Sequence, residues 1–253
     1  MDGDGFQMPK FFIKKENING NLINITGENK KHIKNVLRMK KGDIITVNDR
    51  EGTDYIVELT DFLEDCIIST ILRKEESNTE PNVEVILYQG IPKSDKMDYI
   101  IQKSVELGVK KIVPVITERT VVRLKDEKDA EKKTARWQKI SEEASKQSNR
   151  GIIPEIAMPM PFEEALKEMS GKQLKLIPYE NENNNSCKSI FTNTHIENAA
   201  FIIGPEGGFS ENEIKKAIQY GITPITLGPR ILRTETAGIA LLSIIMYQYG
   251  DIG

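Results

Sequence analysis

Two segments rich in glycine and proline near the carboxyl end carry the residues best suited to hold a ligand. The first glycine loop is Gly204-Pro205-Glu206-Gly207-Gly208, and the second glycine loop is Gly228-Pro229-Arg230-Ile231-Leu232. Glycines allow the backbone to approach a ligand closely. Each loop follows a short apolar run and precedes a helix-like pattern, so each is expected at a strand–loop–helix corner. A single such loop could be an ordinary tight turn, but two of them close together favour one shared ligand site.

The two loops differ from the common phosphate-binding motifs. Neither has the Gly-x-Gly-x-x-Gly spacing, and neither carries the lysine and hydroxyl pair of a P-loop. They offer main-chain groups, small residues and the apolar side chains of Ile231 and Leu232. These features suit a nucleoside with a flat base and little negative charge, held between aliphatic walls. A nucleoside triphosphatase is therefore disfavoured.

Composition and charge are those of an ordinary globular protein. The chain has 253 residues, enough for one large domain or two modest ones. Its net charge of −3 argues against coating nucleic acid by bulk electrostatics, although a local basic patch could still bind phosphates. No apolar run approaches membrane-spanning length, so we expect no membrane association and a cytoplasmic protein.

The cysteines and histidines do not have the spacing of a metal site. Cys66 and Cys187 are isolated, without Cys-x-x-Cys spacing. His32 and His195 lie far apart in the sequence. We therefore expect neither a bound metal nor a disulfide framework.

The first part of the chain is predicted to be a small β-barrel. Short alternating runs separated by turn residues predict strands at 21–25, 43–47, 54–59 and 66–72, with one brief helix at 32–39. Many short strands with little helix are typical of a barrel. A polar linker is expected at 74–82. Residues 1–7 differ in composition from the apolar stretch after Met8, so we expect a disordered leader or a natural start at Met8.

Beyond the linker the pattern changes to alternating strands and helices. This pattern predicts an α/β domain with a parallel sheet covered on both faces. Ser210 and Glu213 have the spacing of a capping box, and Thr234 is the expected cap of the apolar terminal helix. The predicted strands are 83–88, 111–115, 175–179, 199–203 and 225–227, and the predicted helices are 96–107, 130–148, 162–169, 210–220 and 234–247.

Three strand-end loops are expected to converge on one site. Ligands of parallel sheets bind beyond the carboxyl ends of the strands. Pro178-Tyr179-Glu180 and both glycine loops occupy that position in the predicted sheet.

The two glycine loops also carry a family resemblance. Ile-Gly-Pro-Glu-Gly-Gly-Phe-Ser at 203–210 and Leu-Gly-x-Arg-Ile-Leu-Arg-x-Glu-Thr-Ala at 227–237 resemble the SPOUT-type RNA methyltransferases, specifically the 16S rRNA (uracil-N3)-methyltransferase family. The similarity covers most of the chain and includes matching segments at 8–13, 32–38, 96–109, 117–120, 136–137 and 144–150. The departures are the amino-terminal leader and an Asn-rich loop at 181–185.

The resemblance implies a fold and an activity. The expected fold is a PUA-like β-barrel RNA-binding domain at 1–76, joined to a SPOUT methyltransferase domain at 77–253 with a carboxyl-terminal trefoil knot. A knot could not be expected from the sequence pattern, because threaded chains are rare exceptions to topology rules. The implied activity is methylation of N3 of a specific uridine in 16S rRNA of the small ribosomal subunit by S-adenosyl-L-methionine. The implied assembly is a homodimer with its sites at the subunit interface, and the apolar terminal helix would contribute to that interface.

The resemblance also implies roles for individual residues. The residues expected to contact S-adenosyl-L-methionine are Pro178, Tyr179, Ile203, Gly204, Glu206, Gly207, Leu227, Gly228, Ile231, Leu232, Thr236 and Ala237. Arg233 is the expected catalytic cation that stabilises the developing uracil anion, and Glu206 is a weaker candidate for proton acceptor. The alternatives are an ion pair of Arg233 with Glu235 or Glu206, and a purely structural Glu206 that accepts backbone N–H bonds.

A further set of basic and polar residues is expected to bind RNA. A stretch free of acidic residues surrounds Ile33, Val36 and Leu37, whose side chains should face inward and leave the charges outside. The candidate RNA contacts are Lys31, His32, Lys34, Arg38, Lys93, Lys96, Arg119, Arg123 and Arg150. The alternative for the first group is an ordinary solvated helix face.

Three rival functions remain open from the sequence. They are a SPOUT enzyme acting on another RNA position, a non-catalytic RNA-binding protein, and a nucleotide-binding metabolic enzyme. Cofactor binding separates the second from the enzymes, and indifference to RNA would identify the third.

Overall fold

A computed structural model describes residues 9–191 and 194–253. The chain divides into two compact units: Met1–Glu80 with Ser145–Ile153, and Pro81–Ala144 with Pro154–Gly253. The predicted leader at 1–7, with the alternative start at Met8, lies outside the described residues. The first unit thus takes a segment from the middle of the chain that the predicted domain limits did not include.

The first unit is built on a six-stranded sheet with the strand order β1-β4-β5-β6-β3-β2. Its strands are β1 (Lys10–Phe12), β2 (Ile18–Asn19), β3 (Leu22–Thr26), β4 (Ile44–Asn48), β5 (Thr53–Phe62) and β6 (Cys66–Glu76). A 3-10 turn at Lys15–Asn17, the helix α1 (Gly27–Lys31) and a π-helical turn at His32–Val36 complete it. Ile23, Ile25, Ile45 and Val47, at alternate strand positions, are fully buried in its core.

Three predictions for this unit are wrong in detail. The polar residues up to Glu76 continue β6 instead of forming a linker, because their backbone pairs with β5 as far as Thr53. The helix begins at Gly27, and its final turn is π-helical. Of the three apolar residues expected to face inward, only Ile33 is buried, whereas Val36 is 68% exposed and Leu37 is 40% exposed.

The second unit contains a seven-stranded sheet in which all pairs are parallel, with the order β10-β8-β7-β12-β11-β13 and β9 paired to β8. Its strands are β7 (Glu84–Gly90), β8 (Lys111–Ile116), β9 (Glu155–Ile156), β10 (Met160–Pro161), β11 (Leu174–Pro178), β12 (Asn198–Ile203) and β13 (Thr223–Ile225). Its helices are α2 (Lys96–Glu106), α3 (Glu127–Gln147, whose last residues group with the first unit), α4 (Phe162–Met169), α5 (Cys187–Ile190), α6 (Glu211–Gln219) and α7 (Thr234–Tyr249).

Both faces of this sheet are covered by apolar clusters. Leu87 and Phe201 point into one cluster, while the next residues along each strand, Tyr88 and Ile202, point into the other. This alternation on continuous apolar strands is what a parallel sheet buried on both sides requires. The predicted α/β class is confirmed.

The helix termini agree with the sequence at one site and differ at another. Ser210 and Glu213 form the predicted capping box of α6. Thr234 is not the cap of α7, because the N-cap is Arg233 and its side chain makes no capping bond. The Thr234 hydroxyl instead bonds to Gly204, 30 residues earlier in the chain. The last strand ends at Ile225, two residues before the predicted end, so Thr226 and Leu227 belong to the following loop.

Within 9–191 and 194–253, no helix combines the length and the apolarity needed to cross a membrane.

Candidate active site

A cavity of about 760 Å³ opens at the carboxyl ends of three neighbouring parallel strands, β11, β12 and β13. The strand-end loops, the start of α7 and one residue of α2 line it. The lining residues are Lys96, Pro178, Tyr179, Glu180, Asn183, Ile203, Gly204, Pro205, Glu206, Gly208, Phe209, Thr226, Leu227, Gly228, Pro229, Arg230, Ile231, Leu232, Arg233, Thr234 and Ala237. The two glycine loops therefore share one site.

The first glycine loop is folded so tightly that Gly204 has no room for a side chain. The Gly208 N–H donates to the Pro205 carbonyl, and Gly208 has a φ of +64°. A Cβ added at Gly204 would lie 3.0 Å from the Gly208 backbone. A Cβ at Gly90, the last residue of β7, would lie 2.7 Å from Pro205. The loop can therefore lie against β7 only because glycine occupies these positions.

The second glycine loop is open toward the cavity. Gly228 has a φ of +104°, a conformation that favours glycine, and a Cβ added there would meet no atom within 4 Å. The Gly228 N–H donates to the Thr226 hydroxyl at 3.2 Å. Ile231 at the cavity wall is 88% exposed. This loop thus offers backbone and an aliphatic side chain to a ligand.

Glu206 is engaged by hydrogen bonds from the segment between β7 and α2. The Lys93 backbone N–H donates to both carboxylate oxygens at 3.2 and 3.3 Å, and the Lys96 ammonium lies 2.9 Å from Oε1. Partial burial raises the pKa of Glu206, but these bonds outweigh it, and the pKa is lowered overall. Such a carboxylate is a weak base, so its bonds support the structural role over that of proton acceptor.

Lys96 bridges two carboxylates at the cavity edge. It pairs with Glu206 and, at 3.6 Å, with Glu235 in the first turn of α7. Its hydrogen bond with Glu206 raises the pKa of Lys96. The lysine that was expected to bind RNA therefore connects α2, α7 and the first glycine loop.

Arg233 lines the cavity from the N-cap position of α7, and its side chain is exposed. The expected alternative was an ion pair with Glu206 or Glu235. In the part of the chain that the structure describes, both of these carboxylates pair with Lys96, and no carboxylate pairs with Arg233. A cation at this position can therefore approach a group that enters the cavity.

The Asn-rich loop at 181–185 forms one border of the cavity through Asn183. Glu182 Oε1 accepts the backbone N–H groups of Asn184 and Asn185 at 2.7 and 3.1 Å. These backbone bonds lower the pKa of Glu182. A loop that departs from the family pattern is thus held in a defined turn beside the site.

Most of the residues predicted to contact a cofactor line this cavity. The exceptions are Gly207 and Thr236, which do not line it. The Gly207 carbonyl instead accepts a 2.6 Å hydrogen bond from the Arg119 guanidinium. The lining residues that the sequence argument missed include Asn183, Phe209 and Thr226. Asn183 and Phe209 follow predicted strand ends, which was the available signal, whereas Thr226 was placed inside a predicted strand.

Apart from Lys96 and Arg150, the predicted RNA-binding residues form two exposed groups. Lys93, Arg119 and Arg123 in the second unit are exposed, and the first two contact the first glycine loop. The residues around the π-helical turn of the first unit are also exposed; they are Lys31, His32, Lys34 and Arg38.

The structure contradicts the prediction that Arg150 contacts RNA. Its side chain is 3% exposed, and its guanidinium donates to Glu80 at 2.6 Å. Glu80 also accepts the backbone N–H groups of Gly151 and Ile152. A buried arginine engaged in this way is not available to an RNA phosphate.

Among the described residues, no group of three or more His, Cys, Asp or Glu side chains could hold a metal ion.

Comparison with known proteins assigns the fold and its site to a class. A family model described as an RNA methyltransferase domain matches residues 79–246, and one described as an RNA methyltransferase PUA domain matches residues 25–62. These matches define an RNA methyltransferase with an associated PUA domain.

Individual relatives narrow the class. The ribosomal RNA small subunit methyltransferase E of Bacillus subtilis is 35% identical over 249 residues, which cover 95% of this chain and 97% of that protein. The chain belongs to the ribosomal RNA small subunit methyltransferase E family.

Solved structures agree with this assignment. One is the crystal structure of a ribosomal RNA small subunit methyltransferase E from Neisseria gonorrhoeae bound to S-adenosylmethionine. It matches with a TM-score of 0.86 and 34% identity, and the match covers 98% of this chain and 100% of that one. A protein from Legionella pneumophila, solved with S-adenosylmethionine as bound cofactor, has a TM-score of 0.85 and 32% identity, with coverage of 97% and 100%.

Proposed function

We propose that this protein transfers a methyl group from S-adenosyl-L-methionine to N3 of a specific uridine in 16S rRNA of the small ribosomal subunit. One observation carries the proposal. In a chain of this family, whose relatives were solved with that cofactor, two glycine loops and three strand ends form one cavity of about 760 Å³.

The lining of the cavity fits the cofactor. Gly228 leaves open space where any other residue would place a side chain, and the neighbouring Ile231 and Leu232 provide aliphatic surface. An adenosine group can lie against such surface while its polar edge bonds to main-chain groups. Glu180 and Glu206 line the same cavity as Lys96, Arg230 and Arg233, so its wall offers charges of both signs to a zwitterionic ligand. When bound, S-adenosyl-L-methionine supplies a methyl group on a sulfonium centre.

Arg233 is the residue we assign to the uridine. Methylation at N3 requires loss of the N3 proton, which passes to solvent, and the ring then carries negative charge toward its carbonyl oxygens. A cation without a carboxylate partner among the described residues, at the cavity wall, can stabilise this charge. Glu206 positions the first glycine loop, since its low pKa and its bonds to Lys93 and Lys96 disfavour proton transfer.

The RNA is proposed to bind the exposed basic residues of both units. Lys93, Arg119 and Arg123 belong to the unit that contains the cavity and would contact phosphates near the target base. Lys31, Lys34 and Arg38 belong to the PUA-like domain, for which we keep the limits 1–76, followed by the SPOUT domain at 77–253. A trefoil knot, a homodimer with the sites at its interface and a cytoplasmic location are also part of the proposal.

The proposal is tested by methyl transfer to small ribosomal subunits that lack the modification. We expect saturable binding of S-adenosyl-L-methionine with ATP and NAD as negative controls, and mass mapping should locate one N3-methyluridine. Absence of S-adenosyl-L-methionine binding by folded protein that still binds RNA would favour a non-catalytic RNA-binding protein. A methyl group on a ribose or another base would instead indicate a different SPOUT specificity.

Arg233→Ala tests the assigned catalytic residue. Cofactor affinity should stay within about twofold, whereas transfer at saturating substrate should fall by about 100-fold, as when one transition-state donor is lost. Arg73→Ala is the matched control, since Arg73 is an exposed arginine paired with Glu75 in the other unit. Loss of cofactor affinity together with transfer would show that Arg233 binds the cofactor instead.

A further inference from the structure

A chain of buried hydrogen bonds connects the middle of the sheet to the cavity. The Gln89 side chain on β7 donates through Nε2 to the Thr234 hydroxyl at 2.9 Å. The Thr234 hydroxyl in turn donates to the Gly204 carbonyl at 2.7 Å. Gln89 is 0% exposed and Thr234 is 6% exposed. Buried hydrogen bonds thus join three elements: β7, the first glycine loop and α7.

The direction of this chain is determined by its partners. Gln89 Nε2 also donates to the Gly90 carbonyl at 3.0 Å, so the amide faces two acceptors and its orientation is fixed. The Thr234 oxygen accepts one of these bonds, which leaves its single proton for Gly204. A carbonyl has two lone pairs, so Gly204 can still accept a bond from a ligand.

A buried glutamine in the interior of an apolar sheet carries a cost. Its neighbours on β7, Leu87 and Tyr88, are apolar or aromatic, and Gln89 Oε1 has no hydrogen-bond partner within the described residues. An apolar residue of similar size would avoid the desolvation of this amide. Retention of an amide here is best explained by the position it gives to Thr234.

Thr234 stands between two parts of the proposed site. Gly204, whose carbonyl accepts the hydrogen bond from Thr234, lines the cavity. Arg233 directly precedes Thr234, at the N-cap of α7. A shift of Thr234 would therefore move the first glycine loop and the assigned catalytic cation together.

We infer that Gln89 and Thr234 are positioning residues, which hold the first glycine loop and the start of α7 in the geometry needed for cofactor binding and methyl transfer. This inference rests on the proposed function. It adds two residues whose assigned role is to hold other groups in place: Thr234 lines the cavity, and Gln89 acts through Thr234. Their effect passes through the Gly204 carbonyl and through the location of Arg233.

The test compares Thr234→Val with Thr234→Ser in the full-length protein. Valine keeps the shape of threonine but leaves the Gly204 carbonyl and the Gln89 amide without their shared partner, whereas serine keeps the hydroxyl. Ser141→Ala is the matched control, since it removes a 2.8 Å buried bond from a hydroxyl to the Pro154 carbonyl in the same unit. The readouts are titration with S-adenosyl-L-methionine, kcat of methyl transfer, and amide hydrogen exchange of residues 204–210 without ligand.

We expect Thr234→Val to weaken cofactor binding by about 10- to 100-fold, the range for one unsatisfied buried group. It should also lower kcat and accelerate exchange in 204–210, while Thr234→Ser and Ser141→Ala stay close to the wild type. A Gln89→Leu variant and the double variant should each match Thr234→Val, because the bonds form one chain.

Other outcomes are equally decisive. Wild-type affinity, kcat and exchange in Thr234→Val would overturn the inference, as would equal losses in Ser141→Ala. If the wild type binds no S-adenosyl-L-methionine, the proposed function fails, and hydrogen exchange alone then decides the positioning role. Faster exchange in Thr234→Val but not in Thr234→Ser would support that role, and unchanged exchange would refute it.

Discussion

Gly90→Ala tests whether the first glycine loop depends on its close approach to β7. The added Cβ would lie 2.7 Å from both Cδ and N of Pro205 and 3.0 Å from the Ile203 carbonyl oxygen. Carbon atoms in favourable contact are about 3.5–4.0 Å apart, so the loop and the strand must separate by about 1 Å. The obstacles are a backbone and a rigid ring, and neither can move aside as the end of a flexible side chain could.

The cost can be estimated from this geometry. Overpacking of this kind destabilises a folded protein by about 1–3 kcal/mol. A displacement of about 1 Å at a reaction site can reduce the rate about 100-fold. Because Pro205 lines the cavity, we expect both a lower free energy of unfolding and weaker cofactor binding.

The assay is urea unfolding together with calorimetric titration of S-adenosyl-L-methionine. Gly171→Ala is the matched control, since a Cβ at Gly171 meets nothing within 4 Å and no positive φ is involved. It should change the free energy of unfolding by less than about 0.5 kcal/mol. Gly90→Ala with the stability and affinity of the wild type would refute the reasoning about the loop.

Three further predictions concern the same unit. In Gly228→Ala the added Cβ has space, but the residue must adopt a φ of +104°. Thermal unfolding should therefore show a free energy of unfolding lower by about 1–2 kcal/mol, and cofactor binding should be weaker. Wild-type stability and affinity would show that the loop relaxes freely. The pKa of Glu206 is lowered, so its stabilising effect is present above the ordinary carboxyl pKa and is lost as the pH falls through the lowered value. Urea unfolding should therefore find Glu206→Gln less stable than the wild type at neutral pH but not in acid; an equal deficit at both would contradict this. Burial and, secondly, Glu168 raise the pKa of Tyr88, so the stability this tyrosine contributes is present below its ordinary pKa and declines as the pH rises. The difference between wild type and Tyr88→Phe in urea should shrink in alkali, and a constant difference would argue against the assignment.

The longer regular elements of the second unit could be predicted because local patterns determine them, whereas the short elements β9, β10 and α5 were not predicted. Continuous apolar runs such as Asn198–Ile203 are buried on both faces, and the capping box of Ser210 and Glu213 depends on residues three positions apart. The convergence of strand-end loops followed from the parallel order of the strands. The cofactor, substrate and target atom came only from the family resemblance.

Long-range partners could not be predicted from local patterns. Arg150 lies in a polar segment typical of a surface, yet its partner Glu80 is 70 residues away. Thr234 has the residue type of a cap, but the Gly204 carbonyl competes successfully for its hydroxyl. Lys96 has the charge expected of an RNA contact, and two carboxylates from distant segments engage it.

The π-helical turn caused a different error. The inward orientation of Val36 and Leu37 was inferred from a helical period of 3.6 residues. A π-helical turn is wider, with bonds between residues five apart, as in the bond from the Leu37 N–H to the His32 carbonyl. The phase of the helix therefore changes after Ile33, and the next apolar residues are exposed.

The first unit includes a segment from the middle of the chain, and this affects when the unit can finish folding during translation. The Gly52 N–H donates to the Gly151 carbonyl, and Glu80 accepts bonds from Arg150, Gly151 and Ile152. These partners are translated long after the strands they join. The first unit therefore cannot complete its hydrogen bonds when residue 80 leaves the ribosome, and must wait until α3 and the segment Ser145–Ile153 have emerged. The amino-terminal unit should consequently reach its final stability only after Ile153 has emerged, although the last of its strands ends at Glu76.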